Sequence, residues 1–209
     1  MKYSFCTSLA LVAFSSAIFA QSDIRIEVSG SFVSNQPAGG LYANWNDGWA
    51  LSGGVSYPFT ERTDFLFEAR YSHLPYQGNN LELAFPAIAG LRWSVNGLPT
   101  NVYETSAGIR FKTHGTFIRP FLALRGGIVV MDIGRITISQ WFESQPQNIS
   151  HGTYQNTGTQ VTRALASIGV GAIFSVIQNL SLLTEARCVT LFGADQIFVP
   201  LTITGQFQL

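Results

Sequence analysis

The chain has 209 residues, 46% of them hydrophobic, 13% aromatic and only 11% charged, with twelve Lys and Arg against twelve Asp and Glu. That balance leaves no basic footprint for nucleic acid, and after the first twenty residues no apolar run reaches the length of a membrane helix. Two cysteines, one of them Cys6 near the start, exclude a disulfide-stapled scaffold.

Residues 1–20 read as a secretory signal peptide: Lys2 gives the positive start, residues 9–19 the apolar middle, and Ala20 the small residue at the cleavage point. Residues 21–209 then make one domain. In it Cys188 is the single cysteine and Lys112 the single lysine, every other basic residue being Arg. The planar guanidinium suits fixed pairing with carboxylates in a confined interior.

Residues 24–34 place Ile24, Ile26, Val28, Gly30 and Phe32 on one face and Arg25, Glu27, Ser29 and Ser31 on the other. A two-residue period with one apolar and one polar face predicts a strand between two environments. A long loop over 35–47, with Pro37 and Gly39-Gly40, leads to a second strand marked by Trp49, Leu51, Gly53, Val55 and Tyr57. After a polar turn at 60–64, residues 64–73 alternate Phe65, Phe67, Ala69 and Tyr71 with Leu66, Glu68, Arg70 and Ser72. Residues 74–80 form the next loop, and 81–95 the next predicted strand, bent at Pro86, with Asn96-Gly97 as a turn.

Strands follow over 102–112 and 118–130, joined by a turn at His114-Gly115, and a further one is predicted to end near Phe142. The Gln-, Asn- and Ser-rich stretch 143–160 is a loop. Residues 161–176 and 180–191 form a hairpin closed at 177–179, and residues 198–209 form a closing strand. All candidates together make ten strands. Eight result if 133–142 belongs to a long excursion and one more segment leaves the wall. Either even count predicts an all-β, closed, antiparallel up-and-down transmembrane β-barrel with both ends of the wall on one side.

Alternation turns one set of charges inward: Glu68, Arg70, Glu82, Arg92, Glu104, Arg110, Glu185 and Arg187, with Arg119, Arg125 and Glu27 as further members. Facing lipid, each would be costly. They predict either an interlocked network plugging the lumen or the lining of a small-solute pore; near-equal acids and bases in a narrow bore favour the plug. His73, His114 and His151 fall on separate segments, so no metal and no cofactor is predicted. Ser72, His73 and Glu82 form the one hydrolase arrangement to check, and it requires all three to converge. Aromatics near strand ends, among them Tyr57, Phe59, Phe65, Trp93, Tyr103, Phe111, Trp141, Phe198 and Phe207, predict interfacial belts.

In the closing strand Leu201, Ile203, Gly205, Phe207 and Leu209 share one face. With Gly90-Leu91-Arg92-Trp93, Gly108-Ile109-Arg110-Phe111 and Arg119-Pro120-Phe121, this strand resembles the small outer-membrane β-barrel proteins of Gram-negative-type bacteria, the broad group of OmpA-like transmembrane domains and Opa or OmpW-like barrels. That group usually ends on an aromatic residue, where this chain has Leu209.

The resemblance implies a place in the cell outer membrane among phospholipid and lipopolysaccharide. It also implies insertion by the barrel-assembly machinery through the closing-strand pattern, and loops able to meet an extracellular ligand. The group includes passive pores, adhesins, envelope anchors and lipid enzymes, so the resemblance does not select among them. The chain is read as having a structural, surface-interacting or limited small-solute pore role, and the spacing of Ser72, His73 and Glu82 leans it to non-enzymatic. The alternatives are a secreted soluble β-barrel holding a small apolar ligand and an outer-membrane lipid-modifying hydrolase.

Overall fold

The computed structural model describes residues 24–37, 45–77, 89–153, 158–193 and 196–208. Residues 1–20, read above as a signal peptide, and Glu82 and Leu209 lie outside these residues. Eleven strands are described: β1 (Arg25–Pro37), β2 (Gly48–Thr60), β3 (Thr63–Leu74), β4 (Leu91–Gly97), β5 (Thr100–Lys112), β6 (Ile118–Asp132), β7 (Ile136–Phe142), β8 (Ser150–Thr153), β9 (Gln160–Ile177), β10 (Leu180–Leu191) and β11 (Gln196–Gln208).

Eight of them close into a barrel in the order β1-β11-β10-β9-β6-β5-β3-β2. Closure runs through β1 and β11, antiparallel, with Ile26 opposite Phe207, Val28 opposite Gly205 and Gly30 opposite Ile203. A closed ring leaves no strand edge unpaired, which a sheet in hydrocarbon requires. The connections at 61–62, 113–117 and 178–179 lie at the end where β1 begins and β11 finishes; the other end carries the three long ones, 38–47, 75–99 and 133–159, with the short one at 192–195. Short turns mark the periplasmic side of such barrels and long loops the extracellular side.

The predicted alternation holds around the wall. Val28, Leu51, Phe67, Leu124, Ile168 and Ile203 stand exposed on the outside, while the sequence neighbours Glu27, Glu68, Arg125 and Thr202 turn inward. The exterior is an apolar belt and the interior is filled with side chains, the inverse of a soluble barrel holding an apolar ligand. That alternative is thereby overturned.

Of the two predicted counts, eight holds and ten does not. Two of the ten candidates leave the wall: β4 and β7 pair with each other, Leu91 opposite Phe142 and Gly97 opposite Ile136, and β8 adds to β7. The strand predicted over 81–95 is described only in its second half, which lies in this separate sheet. Asn96-Gly97 is no hairpin turn, because β4 runs through it and Leu98-Pro99 makes the connection to β5.

The three-stranded sheet is tied to the extracellular ends of the wall. Leu98 N donates to Arg135 O (2.9 Å), Gly134 N to Thr100 Oγ1 (3.0 Å) and Trp45 Nε1 to Leu98 O (3.2 Å). Its buried residues Val95 and Ile136, with Trp45 and Ile133, join Val33, Leu74, Val102, Val129, Met131, Leu165, Val189 and Phe198 in a single apolar core. That core fills the extracellular half of the lumen, so sheet and barrel are one packed body. Ile136 is fully buried. Ile136→Ala is expected to cost about 2–5 kcal/mol in urea unfolding from lipid vesicles, although the residue lies outside the wall; a neutral effect would mean that the sheet does not share the barrel's core.

Candidate functional site: the charged lumen

Below the apolar core the interior becomes ionic. Glu68 on β3 stands at its centre. Its Oε1 accepts from Arg70 Nη2 (2.9 Å) and Nε (3.1 Å), its Oε2 from Arg187 Nη2 (2.6 Å), and Arg125 Nε lies 3.6 Å from Oε2. Four places apart in a ring of eight, β3 and β10 face each other across the lumen, so the Glu68–Arg187 bond spans the bore. Arg125 on β6 grips Glu185 on β10 through both oxygens (2.6 and 2.9 Å), the paired geometry in which guanidinium binds carboxylate best. Arg187 also reaches Glu104 (3.4 Å) and Glu185 (3.5 Å). Three carboxylates meet three guanidiniums.

Small residues make the room. Gly108 lies opposite Arg125 and Gly169 opposite Arg187. A Cβ on Gly169 would overlap the Glu185 carboxylate, and one on Gly108 the Leu124 carbonyl oxygen first and then the Arg125 side chain. The glycines are the floor over which the long ionic side chains fold, not sites of unusual backbone.

A second ionic layer lies nearer the periplasm, beyond a small apolar cluster of Leu66, Phe121, Ala123, Ile173 and Leu183. Asp64, fully buried, accepts from Lys112 Nζ at 2.5 Å. Arg110 donates to Glu27 Oε1 at 2.6 Å, and Gln206 Nε2 donates to the same oxygen at 2.8 Å. Two internal cavities of about 20 Å³ each flank the central network. Each has room for about one water, and an eight-stranded bore is only wide enough for side chains to fill.

Of the inward set predicted from sequence, Glu68, Arg70, Glu104, Arg110, Glu185 and Arg187 face the lumen, with Arg125 and Glu27 beside them. Arg110 belongs to the lower layer. Arg92 is a correction: it lies on β4 in the outer sheet, its side chain 63% exposed and paired with Glu143. Strand alternation assigns a face without saying which sheet owns the strand. Glu82 lies outside the described residues. Asp64, Lys112, Arg25 and Gln206 were missing from the predicted set, although the parity of Asp64 with Glu68 and Arg70 pointed inward.

The hydrolase arrangement does not assemble where it is described. Ser72 is buried inside the barrel, while His73, on the opposite face, stacks on Trp49 and bonds Asn101 Oδ1 at 3.0 Å. His114 meets Arg62, and His151 meets Ser139, so the three histidines stand apart. The outer belt includes Trp49, Tyr71 and Tyr103 at one end and Phe59 with Phe65 at the other. Trp93 and Trp141 belong to the outer sheet instead, and Phe198 to the lumen core. In the closing strand Leu201, Ile203 and Phe207 face outward as predicted, and Cys188 is exposed on the wall's outer face.

A closed eight-stranded wall, an apolar exterior and an ionic interior define a transmembrane β-barrel of the outer-membrane type. No protein-family model matches the sequence, and comparison with curated proteins found no relative. Solved structures do share the fold. Neisserial surface protein A superposes with a TM-score of 0.53 at 10% identity, covering 89% of this chain and 97% of that one. Ail, the attachment invasion locus protein of Yersinia pestis, superposes with a TM-score of 0.52 at 12% identity, covering 90% and 99%. Ail in complex with the heparin analogue sucrose octasulfate gives 0.51 at 11% identity, covering 90% and 100%.

Glu68→Gln leaves Arg70, Arg187 and Arg125 facing each other without their shared anion. A loss of about 3–5 kcal/mol is expected, as for breaking one side of a buried ion pair. Arg125→Met and Glu185→Met, measured singly and together by unfolding in vesicles, should show strong positive coupling, with the double variant more stable than the sum of the singles implies. Simple additivity would mean that the two-bond contact contributes nothing.

Proposed function

We propose that the protein is a non-conducting outer-membrane scaffold that acts through the three-stranded sheet it holds outside the membrane. The Glu68–Arg187 bond across the bore carries this reading. With the apolar core stacked above it, no continuous water path is left for a solute, and the extracellular end carries structure well beyond what closing the barrel needs. The closing-strand face of Leu201, Ile203, Gly205 and Phe207 supports recognition by the barrel-assembly machinery, and the apolar belt supports a setting of phospholipid and lipopolysaccharide.

The chemistry of the outer surface narrows the partner. Described charges at that end are balanced, Arg92, Arg135 and Arg163 against Asp47, Asp132 and Glu143, and Arg92 is already paired with Glu143. Leu98, Phe142 and Ile149 stand exposed there. A near-neutral protein or glycan surface fits this better than a sulfated polyanion such as the octasulfate bound to Ail.

The test is retention of cells displaying the protein on immobilised neutral glycan and protein surfaces. Retention should fall to the empty-vector level with Phe142→Ser and Ile149→Ser combined, at equal surface amount and with the folded gel mobility unchanged, and a heparin column should not retain the protein. Retention indifferent to the two substitutions, or strong heparin binding, would overturn the reading.

A further inference from the structure

We propose that the periplasmic mouth of the barrel is an anion-binding pocket that takes a phosphate group between Arg25 and Arg119. The central network balances three acids with three bases, but the lower layer does not balance. Among the described residues Arg25, Arg110, Lys112 and Arg119 converge there on only two carboxylates, Glu27 and Asp64. Both are committed: Asp64 to Lys112 at 2.5 Å, with Arg25 at 3.7 Å and Arg110 at 3.9 Å, and Glu27 to Arg110 and Gln206. Arg119 has no carboxylate within 4.0 Å among the described residues; its hydrogen bond is a long one to Ser175 Oγ, 3.4 Å. Its Nε is buried without a hydrogen-bond partner. Two positive charges are left over in a partly enclosed site, a standing cost that an anion would offset.

The space beside these groups fits such an anion. A cavity of about 440 Å³ opens at this end, lined by Arg25 and Arg119 together with Ser175, Asn179, Gln206 and Gln208. Among the described residues the polar lining holds guanidinium, amide and hydroxyl groups and no Asp or Glu. Two guanidiniums, with the Asn179 and Gln208 amides in the same lining, match the several oxygens of a phosphate, which guanidinium binds through paired hydrogen bonds. The apolar residues Val176 and Ile177, exposed at the end of β9, form another side of the same cavity. The pocket therefore borders both the periplasm and the lipid-facing rim, and its phosphate can belong to a soluble ester or to a phospholipid headgroup of the inner leaflet.

The experiment has two arms, each on the full mature chain refolded to its compact gel form. In zwitterionic detergent, inorganic phosphate and glycerol phosphate are titrated by calorimetry. In nanodiscs, retention of phosphatidylglycerol against phosphatidylcholine is read by native mass spectrometry. Saturable binding in one arm is expected, and which arm responds identifies the source. Arg119→Gln should weaken it at least about tenfold, Arg119→Lys should weaken it less, and Arg163→Gln at the far end should leave it unchanged. Arg119 is the residue to vary because its removal breaks no ion pair, and Arg25→Gln is the second variant. No saturable binding in either arm, or binding insensitive to both Arg119→Gln and Arg25→Gln, would overturn the proposal.

Discussion

A single carboxylate shared by three guanidiniums is what the interior depends on. Glu68 holds Arg70 on its own strand and, across the bore, Arg187, with Arg125 beside it. Burying ions is costly, and it becomes tolerable only when each finds its counter-charge in good geometry. The barrel meets that condition by balance and by room: three acids against three bases, and glycines at 108 and 169 where longer side chains would collide with Arg125 and Glu185. The wall supplies the geometry, since neighbouring strands in fixed register place these groups at matched heights.

The same constraint explains the layering. An interior with no space for bulk water can be ionic only where every charge is answered, and otherwise must be apolar. The upper lumen accordingly packs Val33, Val102, Val129, Leu165, Val189 and Phe198 against residues of the outer sheet. The lower mouth, where the ionic layer opens to solvent, is where an imbalance of charge can stand. The extracellular sheet is thus continuous with the lumen core rather than an ornament on flexible loops, and the membrane wall and the sheet outside it form one packed body.

Much of this was legible in the sequence because a strand between lipid and lumen leaves a two-residue period. The pattern in β1, β3, β10 and β11 gave the strands, their faces and most of the ionic set. It could not assign β4 or β7, whose alternation is equally good but belongs to another sheet, and so Arg92 was placed with the wrong neighbours. The apolar upper lumen was missed for a related reason. Where both faces are apolar, as in Ile128-Val129-Val130-Met131, the period disappears, although Ile128 faces outward and Val129 and Met131 inward; a run without alternation was itself the signal of a lumen as apolar as the lipid face. Asp64 was read as part of a turn because it adjoins one, although its parity with Glu68 put it inside.

Single-channel recording from purified protein comprising residues 21–209 in planar lipid bilayers, with insertion verified by the folded gel mobility, tests the occluded lumen most directly. The Glu68–Arg187 bridge and the apolar core above it predict a silent membrane at all moderate voltages. Discrete current steps of reproducible size would contradict the account, because they would require a water path through side chains that the structure locks together.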